Sequence, residues 1–289
     1  MNATRFPVKD YDVAATLASG QAFRWRLVDG AWEGVISRRW VRVSLERESI
    51  MVTTAEAQES WVWLEDYLQT SVVLSEVIAK FPDDVPMCES VAACHGLRLL
   101  KQEPWECLAS FILSSTKQIV QIQQIVELLC VRYGEKVARA GGQAPVYAFP
   151  TAERLAQCTE AELRESKMGF RAKYLLAAAQ AVASGKLDLE SLRKLSCAEA
   201  REKLMELPGV GRKIADCVLL FAYGFQEAFP VDVWVLKALQ QLYFPKRRAS
   251  AKRLAKFTAT YFGPYSGYAQ QYLFHYMRTQ IGRTGKKAK

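Results

Sequence analysis

The chain has 289 residues, half of them hydrophobic, and a formal net charge of +9. This size and composition fit a globular protein with two or three subdomains. No apolar run approaches the length of a membrane span, and residues 1–5 lack the apolar core of a signal peptide. We therefore expect a soluble, intracellular protein with no membrane partner.

The positive charge is concentrated at the C-terminal end. No Asp or Glu follows Asp232, whereas the stretch after it holds 12 Lys and Arg. The first 232 residues carry the other 27 bases against 30 acids. A compact positive face of this kind is typical of a protein with a polyanionic partner.

Cysteine and histidine usage limits the possible chemistry. The seven cysteines show no Cys-x-x-Cys spacing, and the sequence has only two histidines. These patterns exclude the usual zinc, iron–sulfur and disulfide frameworks and predict buried, reduced thiols. We expect no cofactor and no metal held by side chains, so the chemistry must rest on Lys, Asp, Cys or Tyr.

The N-terminal region has the pattern of an antiparallel sheet. Residues 22–27 alternate, Asp29-Gly30 suits a hairpin turn, and residues 32–35 can pair back. A second hairpin is expected over residues 40–45 and 49–53. The sequence thus predicts a sheet with one polar face.

From residue 59 onward the apolar spacing becomes helical. The expected fold is α+β and mostly α-helical, with an N-terminal antiparallel sheet subdomain and its flanking helices over residues 1–100. A helical core follows over residues 101–282, and residues 283–289 form a basic tail expected to be disordered. There is no internal repeat.

A helix-hairpin-helix is predicted over residues 199–223. Pro208 ends the first helix because the residue before a proline avoids the α region. Gly209 and Gly211 allow positive φ and leave the backbone N–H groups of the loop, including that of Val210, uncovered. Arg212 then begins a second helix whose N-terminus can bind a phosphate. The alternative is a plain helical hairpin with a glycine turn.

Lys213 and Asp232 are the candidate reactive pair. The positive end of the helix dipole and Arg212 both disfavour an ammonium ion at Lys213, which favours a nucleophilic amine. Asp232 follows Pro230 and is placed to cap the next helix as a carboxylate. Such a pair suits displacement at a sugar C1′ through a Schiff base. The alternative is that Lys213 binds phosphate and Asp232 only caps.

These segments resemble the helix-hairpin-helix (HhH-GPD) DNA glycosylases, and the 8-oxoguanine DNA glycosylase/AP lyases in particular. The resemblance runs over nearly the whole chain, in five motifs that keep the family's order. They are residues 19–25, residues 111–115, residues 168–174, residues 207–217 with 230–233, and residues 263–274. It implies a two-part helical glycosylase core, with a C-terminal pocket helix over residues 266–281.

The resemblance also implies a role for individual residues. Lys213 becomes the Schiff-base nucleophile and Asp232 its catalytic partner. Gly20 offers its carbonyl to the N7–H that oxidised guanine has and guanine lacks. The other implied pocket residues are Cys217 and Phe274, which sandwich the flipped base, Gln270, which bonds its Watson–Crick edge, and Pro230.

The implied DNA contacts include departures from the family pattern. Phe170 would enter the base stack, and Arg171 is retained beside the orphaned cytosine. Thr116 stands where the family has an asparagine that touches this cytosine, and Gln121 replaces an arginine that reads it. Trp234 stands in place of a phosphate-contacting histidine. We therefore expect relaxed selectivity for cytosine opposite the lesion.

The implied function is excision of 8-oxoguanine from double-stranded DNA by a monomeric enzyme, followed by β-elimination. Two alternatives remain. One is an alkylated-base glycosylase of the same superfamily, which works through water and typically lacks the lysine. The other is a non-catalytic DNA-binding module that uses the hairpin as a clamp.

Overall fold

The computed structural model describes residues 2–115, 117–246 and 249–284, the last five of these by backbone alone. Its N-terminal part is a five-stranded antiparallel sheet in the order β1-β5-β4-β3-β2. The strands are β1 (Ala3–Pro7), β2 (Arg26–Val28), β3 (Ala31–Ile36), β4 (Arg39–Glu46) and β5 (Ser49–Thr54). The accompanying helices are α1 (Val13–Ala18), α2 (Val62–Leu68), α3 (Leu74–Ile78) and α4 (Val85–Ala93).

The rest of the chain is helical apart from a short strand pair, β6 (Lys136–Val137) and β7 (Val146–Tyr147). The helices are α5 (Pro104–Leu113), α6 (Ile119–Tyr133), α7 (Ala152–Ala156), α8 (Glu160–Leu163), α9 (Ala172–Ala183), α10 (Cys197–Met205), α11 (Arg212–Val218), α12 (Val233–Ala238), α13 (Ala251–Thr260) and α14 (Ser266–Thr284). Single turns at Leu219–Tyr223 and Leu239–Tyr243 extend α11 and α12.

The two larger of three apolar clusters are centred on the two parts, and the small third one joins β3 and β4 to the β6–β7 pair. In the sheet, Val41, Val43 and Ile50 are buried against Leu64 and Leu68 of α2. The larger core lies among the helices and is centred on α5, which is buried along nearly its whole length. Because α5 is surrounded by helices, its two ends are the places where it can reach solvent-facing cavities.

The predicted α+β class and the two sheet hairpins are confirmed, with one difference in the first strand. Leu27 pairs with Trp32 as expected, but β2 begins only at Arg26. Ala22, Phe23 and Trp25 are all buried and Arg24 is only partly exposed, so residues 22–25 pack into the interior before the strand begins. β1 pairs with β5 and completes a sheet for which the sequence indicated only the other four strands.

Three further expectations concern single features. Cys88 is exposed, contrary to the prediction of buried thiols, while the other six cysteines are buried and free. Within the described ranges, no helix is long and apolar enough to cross a membrane. The helix α14 continues to Thr284, two residues into the segment expected as a tail, and residues 285–289 lie outside the described residues.

Candidate active site

A cavity of about 610 Å³ lies between the sheet part and the helical core. It joins α5, α6, α11, α12 and α14 to the loop that follows α1. The cavity brings together eight residues that the sequence singled out. They are Gly20, Lys213, Cys217, Pro230, Asp232, Trp234, Gln270 and Phe274.

Lys213 is the second residue of α11, directly after the hairpin. Its Nζ donates to the Ser114 Oγ at 3.1 Å and lies 5.0 Å from the centre of the Phe111 ring. The Ser114 hydroxyl in turn donates to the Phe111 carbonyl at 2.7 Å. The amine also lies within hydrogen-bond reach of the Cys217 thiol. Among the described residues it forms no ion pair, so these contacts hold it at the cavity wall.

Asp232 caps α12, as the sequence predicted. Its Oδ1 accepts from the backbone N–H groups of Trp234 at 2.9 Å and Val235 at 2.8 Å. Burial raises the pKa of the Asp232 carboxyl above its ordinary value, while these backbone donors and Lys213 oppose that shift. The carboxyl is therefore fixed in orientation by the start of a helix and faces the same cavity as the amine.

Cys217 lies one turn after Lys213 on α11 and lines the cavity. The side chain is buried, and burial raises the pKa of the Cys217 thiol to about 12. A neutral thiol at this position is a poor nucleophile. Cys217 is therefore an apolar, polarisable wall rather than a reacting group.

Gly20 forms the opposite side of the cavity and requires a glycine. Its φ is +83°, and an added Cβ would lie 2.6 Å from the Ile119 Cδ1. The same Cβ would lie 3.5 Å from the Phe274 ring. The backbone itself can therefore form the surface of the cavity here.

The helix α14 contributes Gln270 and Phe274, one turn apart. Gln270 is only 3% exposed, and its Oε1 has no hydrogen-bond partner among the described residues. A buried amide oxygen without a partner costs free energy, which a bound ligand could recover. Phe274 is half-buried and carries the Arg278 guanidinium 5.7 Å from its ring centre.

The hairpin loop lies against the segment expected to enter the base stack. Gly209 has a φ of +81°, and an added Cβ would overlap the ring of Tyr174. Tyr174 contacts Phe170 edge-on, with ring centres 6.2 Å apart. Phe170 is 49% exposed, as a residue that inserts into DNA must be. Val210 is buried, so only its backbone is available to a phosphate.

The hairpin loop and Phe170 do not line the cavity, and neither do three other predicted DNA contacts. Arg171 is buried, and its Nε donates to the Ser115 carbonyl at 2.8 Å. Gln121 is exposed, and its Oε1 accepts from the Gln118 backbone N–H at 3.1 Å at the start of α6. Arg212 is exposed beside Asp216 at the hairpin. Thr116 lies outside the described residues.

Sequence reasoning gave no individual role to several cavity residues, among them Ser114, which lies in the motif of residues 111–115, and Gln271 and Arg278. Ser114 holds the amine of Lys213, and Gln271 donates to the Ser19 carbonyl at 3.3 Å. Arg278 donates to the Ala18 carbonyl at 2.7 Å. The only available signal for the last two was their position on the same helix as Gln270 and Phe274.

Comparison with known proteins accounts for both parts of the chain. Residues 4–108 match the N-terminal domain of 8-oxoguanine DNA glycosylase. Residues 109–264 match the HhH-GPD superfamily base excision DNA repair proteins. The two matches meet inside α5, the helix that connects the sheet part to the helical core.

Individual relatives are similar over almost the whole length. The N-glycosylase/DNA lyase OGG1 of Arabidopsis thaliana is 30% identical over 93% of this chain and 79% of its own. The structure of MBOgg1 with a low-affinity DNA ligand has a TM-score of 0.92 at 33% identity, covering 97% of this chain and 96% of the other.

A third relative is the 8-oxoguanine glycosylase/lyase of Clostridium acetobutylicum, whose complex with double-stranded DNA containing cytosine opposite 8-oxoG is known. Its TM-score is 0.89 at 32% identity, and the match covers 97% of this chain and all of that chain. The chain therefore belongs to the HhH-GPD superfamily of base excision DNA repair proteins, in the branch that carries the N-terminal domain of 8-oxoguanine DNA glycosylase.

Proposed function

We propose that this chain is a bifunctional DNA glycosylase that removes 8-oxoguanine from duplex DNA and then cleaves the strand at the abasic site. The observation that carries the proposal is the shared cavity of Lys213, Asp232 and Gln270. It combines a nucleophile, an acid and a buried amide oxygen without a partner. The names of the relatives, which are glycosylase/lyases, support the same reaction.

In the first step, the Lys213 Nζ attacks C1′ of the flipped nucleotide. The new N–C1′ bond forms as the glycosidic bond breaks, and the base leaves with the bonding electrons and takes up a proton. The transition state carries positive charge on the sugar, which the Asp232 carboxylate stabilises across the cavity. Ser114 orients the amine for this attack, because its hydroxyl accepts a hydrogen bond from Nζ.

The second step cleaves the DNA strand. Opening of the sugar ring gives a Schiff base between C1′ and the Lys213 nitrogen. Loss of a proton from C2′ then expels the 3′ phosphate by β-elimination, and hydrolysis of the imine frees the lysine. Asp232 is the acidic residue among those that line the cavity. Its carboxyl group is suited to accept and donate the protons of these steps.

Recognition of the base uses the other walls of the cavity. The Gly20 carbonyl accepts a hydrogen bond from the N7–H of 8-oxoguanine. In ordinary guanine the same carbonyl would meet the N7 lone pair, which is a repulsive contact. Gln270 bonds the Watson–Crick edge and thereby satisfies its amide oxygen. Phe274 and Cys217 enclose the two faces of the ring.

The surface outside the cavity holds the duplex. Backbone N–H groups of the hairpin and the Arg212 guanidinium bind phosphate. Phe170 fills the space left by the flipped nucleotide, a step that costs a few kcal/mol of unstacking. Trp234, at the first turn of α12, offers an indole N–H to the backbone beside the lesion.

Selectivity for the opposite base is relaxed in this proposal. The Gln121 Oε1 accepts a hydrogen bond from the Gln118 backbone N–H at the start of α6. Glutamine also lacks the guanidinium group with which an arginine contacts cytosine by two hydrogen bonds. Arg171 supports the Ser115 carbonyl instead of projecting into solvent. We expect 8-oxoguanine excision rates opposite the four bases to agree within about tenfold, since one bidentate contact is worth about 1–3 kcal/mol.

The reaction is tested by incubating the protein with an 8-oxoguanine duplex in the presence of borohydride. We expect a covalent protein–DNA adduct that Lys213→Gln abolishes, with base release lowered at least about 10³-fold. Lys101→Gln is the matched control, because Lys101 pairs with Asp66 at the far end of α5. Base release without an adduct would indicate the water mechanism of alkylated-base glycosylases. Binding without base release would indicate a DNA clamp.

A further inference from the structure

The loop that carries Gly20 is anchored by a fully buried amide. The Gln21 Nε2 donates to the carbonyls of Thr16 at 2.9 Å and Arg98 at 2.8 Å and to the Ser19 Oγ at 3.1 Å. Its Oε1 accepts from the Leu100 backbone N–H at 2.7 Å. Gln21 is 0% exposed, so these hydrogen bonds form entirely in the protein interior.

A second glutamine holds the same loop from the helical core. The Gln102 Nε2 donates to the Gln21 carbonyl at 2.7 Å. The Gln102 backbone N–H donates to the Phe221 carbonyl at 2.7 Å, and the Phe221 side chain lines the cavity. The loop is therefore tied to the turn that follows α11, the helix that carries Lys213.

The residues on both sides of Gly20 are thus held through their backbone carbonyls. The Ser19 carbonyl accepts from Gln271 of α14, and the Gln21 carbonyl accepts from Gln102. Fixing both neighbours restricts the direction in which the Gly20 carbonyl points. A hydrogen bond weakens steeply when its angle is lost, so this restriction matters for a carbonyl that reads one N–H group.

We infer that Gln21 and Gln102 are positioning residues for lesion recognition, which hold the Gly20 carbonyl toward the N7–H of the damaged base. The inference rests on the proposed function. Buried amides are expensive to retain in a core unless every polar atom is bonded, and a fully bonded network specifies one geometry. Gln21, whose amide nitrogen and oxygen are both bonded, supplies that rigidity beside the backbone position that has to distinguish 8-oxoguanine from guanine, and Gln102 adds one hydrogen bond to the Gln21 carbonyl.

The test separates base recognition from general stability by using two substrates. Incision of a duplex with a preformed abasic site needs Lys213 and DNA binding but no base contact. Gln102→Met removes one hydrogen bond to the Gln21 carbonyl with little change in volume. We expect single-turnover excision of 8-oxoguanine to fall about tenfold, with abasic incision unchanged within about twofold. Gln21→Met should show a larger loss with the same pattern.

Gln240→Met is the matched control, because the Gln240 Nε2 donates to the Ala249 carbonyl and its Oε1 accepts from the Ala249 N–H, both at 3.1 Å, away from this loop. It should lower stability and leave both activities unchanged. If Gln21→Met does not fold, Gln102→Met decides the question. An equal loss of excision and abasic incision, or no loss of excision, would overturn the inference.

The variant Gly20→Ala distinguishes failure of the positioning role of the two glutamines from failure of the proposed recognition of N7–H by the Gly20 carbonyl. The added Cβ meets the Ile119 side chain and strains a positive φ, so we expect the backbone of Gly20 to shift and its carbonyl to turn. Loss of excision in Gly20→Ala but in neither glutamine variant would refute the positioning role alone. Unchanged excision in Gly20→Ala would refute the reading of N7–H by Gly20 itself.

Discussion

The two ends of α5 lead to two cavities of similar size and opposite character. At its C-terminal end lies the candidate active site, of about 610 Å³. At its N-terminal end, on the order of 15 Å away for a helix of this length, lies a cavity of about 550 Å³. The second cavity is lined by five carboxylates, those of Glu103, Glu106, Glu153, Asp188 and Glu190.

The charge of the lining, rather than the volume, separates the two cavities. Burial raises the pKa of the Glu106 carboxyl to about 7, so this acid is partly neutral at physiological pH. The remaining acids of the second cavity repel a phosphate backbone. The active-site cavity instead has one acid and two lysines, Lys117 and Lys213, among its lining residues. Of these two linings, only that of the candidate active site suits a flipped nucleotide.

The difference between the two cavities is tested most directly with Asp232 and Asp188, which line one cavity each and both accept hydrogen bonds from backbone N–H groups. Asp232→Asn should lower base excision at least about 10²-fold, because the charge facing the sugar is lost, and leave DNA binding within about twofold. Single-turnover excision and fluorescence-anisotropy binding measure the two effects. Asp188→Asn is the control, since Asp188 also accepts from two backbone N–H groups, at 3.0 and 3.3 Å.

Asp188→Asn should leave excision unchanged. An equal loss of binding and excision in Asp232→Asn would show that its role is structural. A comparable loss in Asp188→Asn would show that the second cavity contributes to the reaction.

A smaller effect on excision is expected for substitution of Gln270, whose buried amide oxygen has no partner among the described residues. Gln270→Met should lower 8-oxoguanine excision about 10- to 100-fold, since one or two hydrogen bonds to the base are lost, and spare abasic incision. The same variant should raise the melting temperature, because a buried oxygen without a partner is removed. Gln226→Met is the control, because its Oε1 is also buried without a partner but does not line the cavity. Equal effects of the two variants on excision would contradict the assignment.

The smallest effect concerns stability and pH. Burial raises the pKa of Asp232 in the folded state above its ordinary value of 3.8. The proton is therefore bound more tightly by the folded chain, so the contribution of Asp232 to stability is present below pH 3.8 and is lost as the pH rises through the folded-state pKa. Asp232→Asn keeps a good N-cap residue and does not titrate.

We therefore expect Asp232→Asn to melt at a higher temperature than the wild type at neutral pH, by no more than a few degrees. The difference should shrink toward the acid range. Thermal unfolding at pH 7 and at several lower values measures it. A variant that melts lower at neutral pH, or a difference independent of pH, would contradict the burial of a charged carboxyl at this site.

The sequence by itself determined the features that depend on neighbours along the chain. Pro208 and Gly209 ended one helix and turned the backbone, and Asp232 capped the next, because these effects act within a few residues. The same local rules failed at residues 22–25, which alternate in sequence but pack into the interior, so that the strand begins only at Arg26.

Only the tertiary structure decided which groups share the cavity and which are already engaged. Gly20, Asp232 and Gln270 come from distant segments, and no local pattern fixes the distance between them. Packing leaves the Gln270 Oε1 without a partner among the described residues. It also places the Ser114 hydroxyl against Lys213 and the Arg171 guanidinium against the Ser115 carbonyl. Hydrogen bonding and burial act between groups adjacent in space, so the sequence could name candidate site residues but not the groups that bond them.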